Sequence, residues 1–164
     1  MIDKLKELIE GSFLEDIYLT GFVGIENEPA EFYADDRFLY FEFSDRFIEF
    51  ESIDQFSRLR ITIVDLIRHE FELEEDMIPG KSRISQVVFK NPLADASMCF
   101  YNFEARESGV LCDALQINLS NGQNIFLDPS FLGINMGGLD VQDVWKDNLI
   151  DGIVPKKTYI DFAH

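Results

Sequence analysis

The chain has 164 residues, 46% of them apolar and sixteen of them phenylalanine, enough for the core of one ordinary domain and too much for a disordered tail. Fourteen Lys and Arg stand against thirty-one Asp and Glu, a net charge of −17 that argues against nucleic-acid binding, which rests on neutralising phosphates. Two cysteines exclude a disulfide scaffold, and no apolar run approaches the roughly 18–20 residues of a membrane span.

The N-terminal MIDKLKELIEG interleaves charges with apolar residues and carries no hydrophobic signal region, which points to the cytoplasm. Ile2, Leu5, Leu8 and Ile9 share one helical face over Ile2 to Glu10, and Gly11 offers a stop. A helix this short is marginal alone in water and must dock on something. From residue 16 the period changes to two. Ile17, Leu19, Val23 and Ile25 alternate with Tyr18, Thr20 and Phe22, and Gly21 and Gly24 mark bulges or close approaches. Glu26 to Asp36 then reads as an acidic loop broken by Pro29.

Arg37 to Phe43 and Phe47 to Glu51, joined by Ser44-Asp45-Arg46, form a predicted hairpin. Leu39, Phe41, Phe43, Ile48 and Phe50 make its buried face; Tyr40, Glu42, Glu49 and Glu51 make a wet, acidic one. Arg58 to Val64 repeats the alternation, with Leu59, Ile61 and Ile63 inward. Beside the hairpin, Arg58 and Arg60 would meet Glu49 and Glu51 across the sheet.

After the acidic patch Glu70 to Asp76, Pro79-Gly80 reads as a turn, followed by strands over Ile84 to Phe89, Ser97 to Ala105 and Val110 to Leu119. Asn121-Gly122 then signals a hairpin into Asn124 to Asp128, with a type I′ turn at positive φ on both central residues. Leu115, Ile117 and Leu119 join the predicted core. Asp140 to Ile150 returns to a helical period, with Val141, Val144, Trp145 and Leu149 in one stripe and Asp140 as N-cap. A short strand-like YIDF lies near the end. The expected fold is a single α+β domain over 1–164, mainly antiparallel sheet, with one short helix near each terminus.

Catalytic patterns fail in turn. His69 and His164 are the two histidines, and His69-Glu70 lacks the HExxH spacing because residue 73 is Leu. Cys99 and Cys112 lack CxxC spacing, so no zinc site is expected; both sit in strand-like stretches and read as buried free thiols, with a disulfide as the alternative. The Asn118-Leu119-Ser120 glycosylation triplet has no role in a cytoplasmic chain. There is no phosphate-binding GxxxxGK[ST] and no GxSxG elbow, and Asp143 to Asp151 does not fit a calcium loop. No cofactor and no metal follow from these residues.

Charge is the property farthest from average, and it is uneven. Residues 1–56 carry −11, residues 57–106 carry −1 and residues 107–164 carry −5. Acidity serves solubility, or it complements a basic partner protein whose encounter it accelerates. Candidate surfaces are the hairpin face (Glu42, Glu49, Glu51), the loop Glu26, Glu28, Glu31, Asp35 and Asp36, and the run Glu70, Glu72, Glu74, Glu75 and Asp76. A fourth is the stripe Asp140, Asp143, Asp147 and Asp151, with Trp145 on its flank as an interface anchor.

A small acidic α+β chain with ALQINLSNGQNIFLDPSFLGINMGG over 114–138 resembles the immunity proteins that bacteria encode beside polymorphic or contact-dependent toxins. The resemblance lies in size, charge and the strand, NG, strand, DP, glycine order of that segment. It implies inhibitory binding to a cognate toxin, often a basic nuclease, without catalysis, and it carries over no site residue. Two other classes stay open: a stand-alone structural or regulatory domain, and an enzyme using a carboxylate pair in a cleft. The oligomeric state is open as well.

Overall fold

The computed structural model describes residues 2–10, 14–25, 29–68, 73–84, 96–130 and 132–160. The chain runs α1 (Ile2–Glu10), β1 (Leu14–Gly24), β2 (Glu31–Ala34), β3 (Phe38–Phe43), β4 (Arg46–Ile53), β5 (Arg58–Val64) and β6 (Met77–Arg83). It continues through β7 (Ala96–Tyr101), β8 (Glu104–Arg106), β9 (Gly109–Cys112), β10 (Ala114–Leu119) and β11 (Asn124–Asp128). Next come β12 (Asn135–Gly137), α2 (Leu139–Asp147) and β13 (Lys157–Ile160). The fold is α+β and mostly antiparallel sheet, with one short helix toward each end.

Two sheets share the strands. The larger has the order β2-β1-β3-β4-β5-β9-β8, with β6 also on β1; the smaller has the order β12-β11-β10-β7-β13. Every ladder is antiparallel. Period-two side chains from both inner faces make one core: Ile17, Leu39, Phe41, Phe43, Ile48, Phe50, Leu59 and Ile61 from the larger sheet. Phe100, Leu115, Ile117, Leu119, Ile125 and Leu127 come from the smaller, and α1 adds Leu5 and Ile9. Ile2 and Leu8 pack beside them, as does Ile63, which is half-buried rather than buried. Cys112 lies in this core, whereas Cys99 faces the opposite side of the smaller sheet; both thiols are free, and burial raises the pKa of each.

Several expectations need correction. The acidic segment is not all loop, because Glu31–Ala34 pairs with β1 from Gly21 to Gly24. Pro79-Gly80 is no turn; both lie inside β6, opposite Phe22 and Gly21. Ile84 continues that ladder through its N–H to Ile17 O at 2.9 Å, and the rest of the Ile84 to Phe89 segment lies outside the described residues. The strands expected over 97–105 and 110–119 are each two strands, broken at Asn102 and Asp113, where one hairpin passes from the smaller sheet to the larger. Of the YIDF stretch, Tyr159 and Ile160 lie in β13 (Lys157–Ile160), and Asp161 and Phe162 lie outside the described residues.

The Asn121-Gly122 hairpin is present with Asn118 opposite Asn124, but its turn differs. Gly122 has φ +82 while Asn121 does not have positive φ. Gly122 N–H donates to Leu119 O at 3.0 Å and Leu119 N–H to Gln123 O at 2.8 Å. That is a three-residue loop of a type I turn followed by a left-handed glycine, rather than the two-residue I′ form. The Asn121 side chain accepts from Gln123 N–H at 2.9 Å, which favours this geometry.

Candidate functional site

The hairpin face expected to be wet and acidic is in part a second packed layer. Tyr18, Phe38 and Tyr40 are buried there, with Phe47, Val64 and Ile67 against them. Glu49 is only 1% exposed. It accepts from Tyr40 Oη at 2.6 Å and from Arg68 Nε at 2.9 Å, and Arg68 Nη2 holds its other oxygen. A lone buried carboxylate would cost several kcal/mol, roughly 3–5 when a partner is lost, and this set of donors offsets that cost. Glu49 is therefore a structural anion and not a docking residue. Burial, and then the Glu49 carboxylate, push the Tyr40 hydroxyl well above the usual tyrosine range.

The remaining sheet candidates are also engaged. Glu51 is paired with Arg60, which stands opposite it in the ladder as expected. Arg58 does not meet Glu49, because Thr62 occupies that place; it reaches Asp113 and Glu104 instead. Glu42 accepts from Tyr18 Oη at 3.2 Å. The chain's seven arginines follow one rule: each is ion-paired to a carboxylate of its own chain.

The α2 surface is different. The helix begins after Gly138 and ends at Asp147, so Asp151 lies beyond it in the following turn. Asp140 is not the N-cap; Gly138 is, and its N–H donates to Asp140 Oδ1 at 3.1 Å. Val141, Gln142 and Trp145 are buried against the outer face of the smaller sheet. Trp145 is 6% exposed, its ring 4.9 Å from Tyr101 and 5.6 Å from Phe126, so it anchors the helix to the sheet and is not the interface aromatic expected. Gln142 Nε2 donates to Tyr101 Oη at 3.0 Å and to Gln116 Oε1 at 3.1 Å, and that bonding explains how a glutamine takes the buried place expected for Val144.

With those three residues turned inward, Asp140, Asp143, Val144 and Asp147 point outward at spacings of three, one and three. All three acids are exposed, as is Asp151, and none forms an ion pair with a described residue. Apolar side chains stand among them: Leu139, Val144, Ile150, Ile153 and Val154 are all exposed, Val154 at 90%. Asp147 sits at the carbonyl end of the helix dipole, where a negative charge is unfavourable by some tenths of a kcal/mol. Helix stability does not call for an acid there.

The clefts differ in their acids. One of about 200 Å³ is lined by Leu19, Phe38, Leu39, Ile84, Ile134 and Met136 with Asp36 as its sole acid, whereas a wider one of about 580 Å³ is lined by Ile25, Glu74, Glu75 and Asp76. Among the described residues no His, Cys, Asp and Glu group has metal-holding geometry, and no helix is long and apolar enough to cross a membrane. His69, His164, Glu26, Glu28, Glu70 and Glu72 lie outside the described residues. Fold and surface together define an acidic, two-sheet antiparallel protein whose α2 face mixes acids that lack an ion pair among the described residues with exposed apolar residues. No family model, no curated protein and no solved structure matches the chain.

Proposed function

We propose that this protein is a binding module that docks a basic partner protein on the exposed face of α2 and the segment after it, and so neutralises that partner. Its concrete form is an immunity protein acting on a basic toxin domain in the cytoplasm, with no catalytic step and no cofactor. One observation carries the reading. Glu49 and Glu51 of the larger sheet are matched by the chain's own Arg68 and Arg60, while Asp140, Asp143, Asp147 and Asp151 have no such partner among the described residues and are interleaved with exposed Val144 and Ile150. Charges at an interface rim set the association rate, and apolar side chains beside them slow dissociation.

The test is capture and inhibition. Immobilised protein should retain a basic protein from its host's extract at low salt, and a toxin encoded next to its gene should lose activity on mixing. Reversal of Asp140, Asp143 and Asp147 to Lys should lower the association rate about tenfold or more while leaving the fold intact. The wild-type rate should also fall steeply with salt. Retention that ignores the reversals, or no retained basic protein at all, overturns the reading.

A further inference from the structure

The second half of β1, Gly21 to Gly24, is flanked by β2 on one side and β6 on the other, and β2 pairs with no other described strand. All four β2 residues are exposed. Asp35 N–H donates to Thr20 O at 2.7 Å. Hydrogen-bonded pairs alternate along an antiparallel ladder, so Glu31 and Tyr33 turn their backbone groups to β1 while Phe32 and Ala34 turn theirs away. The sheet therefore ends in two N–H donors and two carbonyl acceptors with no described partner.

The opposite edge is built differently. Ile84 N–H bonds to Ile17 O and Ile25 N–H to Asp76 O, which by the same alternation puts the outward-facing positions of β6 at Met77, Pro79, Lys81 and Arg83. Proline removes a donor there, and Lys and Arg repel an incoming strand's cations, the usual means of closing an edge. Strand β2 has neither device. In sequence, residues 26–36 hold five acids and no Lys or Arg. Gly24 pairs with Glu31 on one side and Met77 on the other, which brings Glu74, Glu75 and Asp76 to the same end.

We infer that β2 is an open edge that accepts one further strand, an extended segment with Lys or Arg at alternate positions and apolar residues between them. Pairing supplies the backbone bonds. The alternation matches the two faces of β2: cations meet Glu31 and Tyr33, whose hydroxyl already donates to Glu31 at 2.6 Å, and apolar side chains meet half-exposed Phe32. A second copy of this chain is disfavoured as occupant by its own charge of −17. The site is separate from α2 and does not rest on the function proposed above.

The acetylated, amidated peptide Lys-Val-Lys-Val-Lys-Val-Lys is the probe, titrated into the full-length protein and read by amide NMR and hydrogen exchange. Saturable shifts centred on β2 are expected, with Phe32 and Ala34 amides exchanging at least about tenfold more slowly. Ala34→Pro removes an outward donor without touching the β1 ladder and should weaken binding about tenfold or more. Glu31→Lys should weaken it too, and the Asp140, Asp143 and Asp147 reversals should leave it unchanged. The inference is overturned by shifts centred on α2, by equal binding of the Glu-Val counterpart, by an Ala34→Pro variant that binds as well as wild type, or by self-association through the same amides.

Discussion

Asp54, Gln55 and Phe56 stand consecutively in the left-handed region, with φ of +51, +58 and +62. That conformation costs an L residue roughly 1–2 kcal/mol, and the tight turn from β4 to β5 is held by Ser57 N–H to Ile53 O at 3.1 Å and Ser57 Oγ to Asp54 O at 2.7 Å. Gln55 is exposed, so its side chain is replaceable. Gln55→Gly is expected to raise stability by about 0.5–1 kcal/mol, read as a higher Tm, and Gln55→Val to lower it. A Gly variant that melts lower would show that the turn is not left-handed. Tyr40 makes a second prediction. Its neutral hydroxyl is favoured in the fold, so its folded pKa exceeds the unfolded one of about 10. The stability this contributes is complete below that pH and declines as pH rises above it, because only the unfolded chain then releases the proton. Tyr40→Phe should make the alkaline loss shallower without abolishing it, since burial also raises Tyr18 and Tyr101. An unchanged alkaline slope in urea titrations would remove Tyr40 from the account.

At the scale of elements, the β10–β11 loop separates strain from crowding. A Cβ on Gly122 would meet nothing within 4 Å, so the residue is glycine for its φ alone. Gly122→Val should cost on the order of 1 kcal/mol or more, and Gly122→Asn clearly less, because Asn tolerates the left-handed region. Equal melting of the two variants would refute the turn assignment. In α2 the same reasoning governs the charge reversals. Lys at 147 suits the helix's carbonyl end and Lys at 140 opposes its amide end, each by about 0.3–1 kcal/mol, and Lys at 140 also gives up the exposed bond from Gly138 N–H, so the triple reversal should cost folding only about 1 kcal/mol and still reports on binding.

For the molecule as a whole, Arg58 joins the two sheets where the 96–119 hairpin crosses between them. Its Nε donates to Asp113 Oδ1 at 3.0 Å, Nη1 to Glu104 Oε2 at 2.8 Å and Nη2 to Asn102 O at 3.0 Å. Asn102, at φ +53, also donates to Asp113 Oδ2 at 2.7 Å. The partners are part-exposed, so solvent screening limits the worth of the set to roughly 1–2 kcal/mol. Arg58→Met should lower the urea midpoint accordingly, and Arg58→Lys should restore less than half, because an ammonium cannot span three acceptors in a fork. Full rescue by Lys would mean that charge alone matters there.

Local pattern was enough for much of this fold. Alternation over 38–64 marked three strands and the residues of their core-facing side, because a half-buried strand repeats every two residues, but not the burial of Phe38, Tyr40 and Glu49 on the other side; Asn121-Gly122 marked a hairpin because few residues tolerate positive φ. The face of α1 was legible for the same reason, at a period of 3.6. Strands β2 and β6 were not: one is exposed throughout and the other carries Pro79 and Gly80, so neither shows the alternation that burial imposes. Nor could spacing show that one hairpin changes sheets at Asn102 and Asp113, since its hydrophobic runs continue through both breaks. The candidate surface divided along the same line. The acidic stripe over 140–151 and the pairing of Arg60 with Glu51 were visible in the sequence, while the partner of Glu49 was not: Thr62 stands opposite it, and Arg68 reaches it from beyond the end of β5. Periodicity tells which side chains share a face; only the packing of distant segments decides which of those charges is neutralised and which is left to face a partner.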